Sequence, residues 1–89
     1  MNVNEIAQYI QGRYKTYTYY KTLLPDMTKE TFNDNLNDLF DDISQDAKYQ
    51  HDLLRQSYSK PLIQMFNDLS RYSQSVLELF SLYKTLREF

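Results

Sequence analysis

The sequence predicts an all-α protein, a small antiparallel three-helix bundle, on three observations. The 89 residues hold one glycine, where average usage would supply about six, and turn-rich β folds need glycine wherever φ must be positive. Pro25 and Pro61 are the only prolines, and they divide the chain into three segments that each have room for a substantial helix. Within each segment apolar residues recur at steps of three and four. The expected helices cover about 3–24, 28–58 and 61–88. A chain of this length builds one domain, 1–89, and buries only roughly 60 to 65% of the surface its unfolded form exposes, so good packing or a partner must help it.

In the first segment Val3, Ala7, Ile10, Tyr14, Tyr17 and Leu24 form the helical seam, with Lys21 in the slot that breaks it. Gly12 falls on the solvent side. Thr16-Tyr17-Thr18-Tyr19-Tyr20 suits a strand as well as a helix, because its residues are β-branched or aromatic; the surrounding period decides for helix. Pro25 biases Leu24 away from helical geometry, and Thr28 is a good N-cap, although Thr31 stands where a capping box usually has Glu. Phe32, Leu36, Leu39, Phe40, Ile43, Ala47, Leu54 and Tyr58 then carry the second helix, with Gln50 in one slot. Pro61 suits a first helical turn, and Leu62, Met65, Phe66, Leu69, Tyr72, Val76, Leu79, Phe80, Tyr83 and Leu86 mark the third. The seam stays in phase across Pro61, so one long kinked helix is the alternative. A turn fits better, because a helix from 28 to 88 would run roughly 90 Å with too little chain left to cover its apolar face.

Helices of about 22, 30 and 27 residues would span roughly 33, 45 and 40 Å, which leaves the first one short. It is expected to cover the Thr28 end of the second and third helices and to leave the hairpin tip near Ser59 uncovered. Leu53, Leu54, Tyr58, Leu62, Ile63, Met65 and Phe66 lie there. They read either as a partner groove, with adaptable Met65 and anchors Tyr58 and Phe66, or as part of the core if the second helix bends near Gln45 to Tyr49.

The net charge of −2 hides a dipole. Asp26, Glu30, Asp34, Asp38, Asp41, Asp42 and Asp46 crowd one stretch against Lys29 alone. On a helix Asp34, Asp38, Asp41 and Asp42 form a stripe opposite Leu36, Leu39, Phe40 and Ile43. That stripe is either a solvated face that complements the helix macrodipole or a docking strip for a basic protein surface. The nine tyrosines suit the wet boundary of a small core, and Tyr9, Tyr19 and Tyr20 beside Arg13 could also form a recognition edge. The basic residues are scattered over three helices, which argues against nucleic-acid binding. Arg13, Lys15 and Lys21 give little support for membrane attachment.

The chain has no cysteine and a single histidine, His51, so a thiol nucleophile is excluded and no Ser/His/Asp set or phosphate-binding glycine loop comes together. The run from Asp34 to Asp42 resembles a calcium loop only superficially, lacking the glycine such a loop needs. No catalytic residue, cofactor or metal is therefore expected. The N-terminal residues lack the basic and apolar regions of a secretion leader, and a cytoplasmic location is expected. The function expected is that of a non-enzymatic protein that binds another protein, as an inhibitor, an immunity- or antitoxin-type factor or an adaptor. Leu54, Tyr58, Leu62, Met65, Phe66, Asp34, Asp38, Asp41 and Asp42 are its expected contact residues. The alternative is a structural homodimer or larger oligomer that buries its apolar faces between copies.

Overall fold

The computed structural model describes residues 2–56 and 58–89. Met1, part of the leader reading, and Ser57, expected to be helical, lie outside the described residues. Three helices form the bundle: α1 (Val3–Leu23), α2 (Lys29–Arg55) and α3 (Lys60–Arg87), with a 3₁₀ turn at Leu24–Asp26 between the first two. The Asn2 side chain caps α1 by accepting from the Glu5 N–H at 2.9 Å. The strand-prone run Thr16 to Tyr20 is helical throughout, because burying Tyr17 and Tyr20 outweighs weak local propensity.

Thr28 caps α2 as expected, and Thr31 takes the part usually played by Glu. Its N–H donates to Thr28 Oγ1 at 3.3 Å, while the Thr28 N–H donates to Thr31 Oγ1 at 2.9 Å. Helix α2 stops at Arg55, short of the expected 58, and Pro61 lies in the first turn of α3. The long kinked helix is thereby replaced by a hairpin. Phe32 packs on Phe80 with ring centroids 5.3 Å apart and Tyr49 on Phe66 at 5.5 Å, so α2 and α3 run antiparallel. Tyr9 faces Phe66 at 6.1 Å, Tyr14 faces Tyr72 at 5.4 Å and Tyr20 faces Phe80 at 6.3 Å, which sets α1 parallel to α3.

The same contacts overturn the expectation of an uncovered tip. Leu53, Leu62 and Phe66 are buried, and Tyr9 of α1 stacks on Tyr49 at 4.2 Å above them. The 3₁₀ turn and the extended backbone of Met27 (ψ 138°) carry the chain well past the end of α1 before α2 begins. That added reach slides α1 toward the tip, and the shortfall moves to the opposite end. There Leu24 and Met27 are buried, Phe89 packs on Phe32 at 5.1 Å, and Arg87 Nη1 donates to the Pro25 carbonyl at 3.0 Å.

The seams are also rotated by one position from those expected. In α1 the buried residues are Ile6, Ile10, Tyr17 and Tyr20, continued by Leu24 in the 3₁₀ turn, while Val3 is exposed and Ala7 and Tyr14 are half-buried. Arg13 occupies the slot that completes the steps of four and three. In α2 the buried positions recur every seven residues, at Phe32, Leu39, Asp46 and Leu53. An arginine and an aspartate therefore stand where the repeat calls for apolar side chains.

Candidate functional site

The two faces of α2 offer different chemistry. On the inward face Asp46 is 8% exposed and accepts three donors from α1. Tyr9 Oη donates to Oδ1 at 2.5 Å, Arg13 Nε donates to the same oxygen at 2.8 Å, and Tyr17 donates its hydroxyl to Oδ2. One turn earlier, Asp42 accepts from Tyr20 Oη at 2.8 Å and pairs with Arg13 Nη2 at 3.3 Å. The guanidinium carbon lies 5.2 Å from the Tyr17 ring centroid, within cation–π range. The backbones of α1 and α2 approach each other less closely than the other helix pairs, and these long polar side chains span the gap.

Burial, followed by the hydrogen bonds to Asp46, holds the Tyr9 and Tyr17 hydroxyls well above the ordinary tyrosine range; Tyr20 is raised by burial and by its bond to Asp42. Burial opposes the charge on Arg13, but the Tyr17 hydrogen bond and the carboxylates of Asp46 and Asp42 more than offset it. The phenols thus stay protonated as donors and the guanidinium stays cationic. Among the described residues no buried side-chain polar atom lacks a hydrogen-bond partner. Each group is occupied by another, which makes the cluster a structural pin between two helices.

Burial of Asp42 and Asp46 also corrects the expected acidic stripe. Asp34, Asp38 and Asp41 are exposed, but Asp42 is half-buried in the polar cluster. His51 lies exposed farther along α2, and Asp52, Arg55 and Gln56 line an open depression at the end of that helix. Among the described residues no group of three or more His, Asp or Glu is placed to hold a metal ion.

The outward face of α2 carries a second row of apolar residues, one position round from the buried one. Leu36 and Ile43 are half-buried, Ala47 is exposed, and Phe40 and Leu54 are each 49% exposed. The row follows the α3 side of the helix, because Gln50, in register with Ile43 and Leu54, reaches across to Asn67 Oδ1 at 2.7 Å. The residues expected at the tip are divided between surroundings. Leu62 and Phe66 are core, Tyr58 is half-buried against it, and Leu54 belongs to the outward row. Met65 is 40% exposed and shares the α1 side of α3 with Tyr72, away from Leu54. Tyr9 and Tyr20, expected at a recognition edge, point into the polar cluster, whereas Tyr19 is exposed.

On α2, Asp46 and Phe40 are residues whose roles periodicity misassigned. The signal that finds them is the strict seven-residue spacing of Phe32, Leu39 and Leu53, which claims Asp46 for the core and excludes Phe40. No protein-family model, curated protein or solved structure matches the chain. No helix among the described residues is long and apolar enough to cross a membrane.

Proposed function

We propose that this chain is a non-enzymatic helical protein that acts by binding another protein chain, and that the outward face of α2 is its contact surface. The observation that carries this reading is the coincidence of two features on one helix. Phe40 and Leu54 expose apolar surface beyond the needs of the core, and Asp34, Asp38 and Asp41, farther round the solvent side of the same helix, make no ion pair with the rest of the chain among the described residues. Apolar side chains supply affinity at such a surface, and charges elsewhere on the same helix raise the encounter rate. The mechanism is occlusion or scaffolding, as in an inhibitor, an immunity- or antitoxin-type factor or an adaptor. The proposed compartment is the cytoplasm, on the absence of cysteine from the sequence.

A photoreactive phenylalanine analogue at position 40, activated in cells that make the protein, tests the reading. The expected result is a discrete crosslinked protein band that is absent when the analogue replaces exposed Gln74. Equal crosslinking from both positions, or none from position 40, would remove the face from consideration.

A further inference from the structure

The apolar residues of α1 and α2 do not by themselves say on which side of the α2–α3 hairpin α1 belongs. On α2 the row Leu36, Phe40, Ala47 and Leu54 runs along the side turned away from α1, while Asp42, Asp46 and Tyr49 meet α1 on the other. Helix α1 also has two edges. Tyr9, Arg13, Thr16 and Tyr20 form the one toward α2, and Ala7, Tyr14, Thr18 and Lys21 the one toward α3, where Tyr14 packs on Tyr72 and Thr18 Oγ1 lies 2.7 Å from the Tyr72 hydroxyl.

Docked on the free side of the hairpin, α1 would keep Ile6, Ile10 and Tyr17 inward and turn its second edge onto α2. Ala7 would then lie near Leu54 and Tyr14 near Ala47, close to the register that now sets Tyr9 beside Tyr49 and Arg13 beside Asp46. These are the seams that apolar spacing alone predicts for both helices, and they would meet in a bundle of the opposite hand. On α3 the half-buried Tyr72 and Leu79 line the occupied side, whereas the exposed Ser70, Gln74 and Ser81 line the free one, so α3 pulls toward the observed hand and α2 away from it.

The polar cluster breaks this tie. In the opposite hand Asp42 and Asp46 would lie outside the seam, and Arg13 would be buried against the serines of α3 with no carboxylate to pair with. A buried charge without its partner is strongly unfavourable, whereas a fully paired cluster adds little net stability, so such groups act chiefly by rejecting alternatives. We infer that Arg13, Asp46 and Asp42 are the device that sets the hand of the bundle, holding α1 on one side of the hairpin against an apolar row on α2 that invites it to the other. The inference does not rest on the protein-binding reading, although it accounts for why α1 leaves Phe40 and Leu54 uncovered.

Distances between paired nitroxide labels test it, because the chain has no cysteine and labels attach only where one is introduced. Thr16→Cys with Gln45→Cys marks the edges of α1 and α2 that now meet; Gln11→Cys with His51→Cys marks the edges that would meet in the opposite hand. The native chain gives one short distance for the first pair and one long distance, across the bundle, for the second. Replacing the cluster by apolar residues (Arg13→Leu, Tyr17→Phe, Asp42→Leu and Asp46→Leu) leaves the chain helical, and each label pair then gives two distances. Moving the charge pair by one position on each helix (Arg13→Leu with Tyr14→Arg, Asp46→Leu with Ala47→Asp) transfers the short distance from the first label pair to the second. An apolar chain that keeps only the native distances overturns the inference, since packing then chooses the hand. If the apolar chain does not fold, the relocated chain decides alone: transfer of the short distance upholds the inference, and native distances or the lack of a folded state overturn it.

Discussion

Asp46 and Asp41 lie five residues apart on α2, one facing in and the other out. Asp46 is enclosed, with two phenols and a guanidinium already aimed at its oxygens. Asp41 is exposed and has no ion-pair partner in its own chain among the described residues. The difference teaches that charge on this helix is sorted by what the neighbouring helix provides. A carboxylate in a core slot is tolerable only where donors replace the water it loses. An outward carboxylate keeps its water and acts at longer range, on whatever approaches.

The largest break in that comparison is expected from Asp46→Ala. It strands Arg13, Tyr9 and Tyr17 without their acceptor, and urea denaturation should show a loss of about 3–5 kcal/mol. Asp41→Ala should stay within about 0.5 kcal/mol. Similar losses at the two positions would mean that the cluster is open to water.

Alkaline titration reads the same cluster from its phenols. Their pKa values are raised in the folded chain above the ordinary value of about 10. Their contribution is therefore full below about pH 10 and is lost as the pH climbs toward the folded values, because the unfolded chain releases its protons first. Phenolate absorbance from Tyr9, Tyr17 and Tyr20 should appear together with the loss of circular dichroism. Ionisation of these three in a chain that remains helical would contradict their placement.

Gly12→Ala should raise stability by up to about 1 kcal/mol. The glycine is exposed in mid-helix, and nothing lies within 4 Å of where the added Cβ would sit. Phe40→Ser is expected to have the smallest effect, about 0.5 kcal/mol or less in the monomer. A loss of the size expected in a core would return Phe40 to the inward seam.

Much of this architecture was legible from punctuation and period. Thr28 and Pro61 mark helix starts, the scarcity of glycine excludes a turn-rich fold, and the exposure of Gly12 and Tyr19 follows from the helical wheel. Two things were hidden for physical reasons. Arg13 and Asp46 occupy core slots, and a count of apolar residues assigns such side chains to the surface, which turned both seams by one position. The placement of α1 depended on a connection whose reach is set by backbone geometry at Leu24 to Met27, not by hydrophobicity. The apolar row through Leu36, Phe40, Ile43, Ala47 and Leu54 was visible in the sequence, but its outward direction was not, because a helix with two adjacent apolar rows does not say which one the rest of its own chain will cover.

The stacking of α1 on α3 bears on how the protein is made. Helix α1 packs more extensively on α3 than on α2, and Phe32 near the start of α2 is covered by Phe80 and Phe89. As the chain leaves the ribosome, the first two helices emerge before the surfaces that bury them exist. Covering Phe32 must wait for Phe80 and Phe89. A chain cut within α3 before Phe80 would lose the ring on which Tyr20 and Phe32 pack, leaving the Thr28 end of the bundle open to proteolysis.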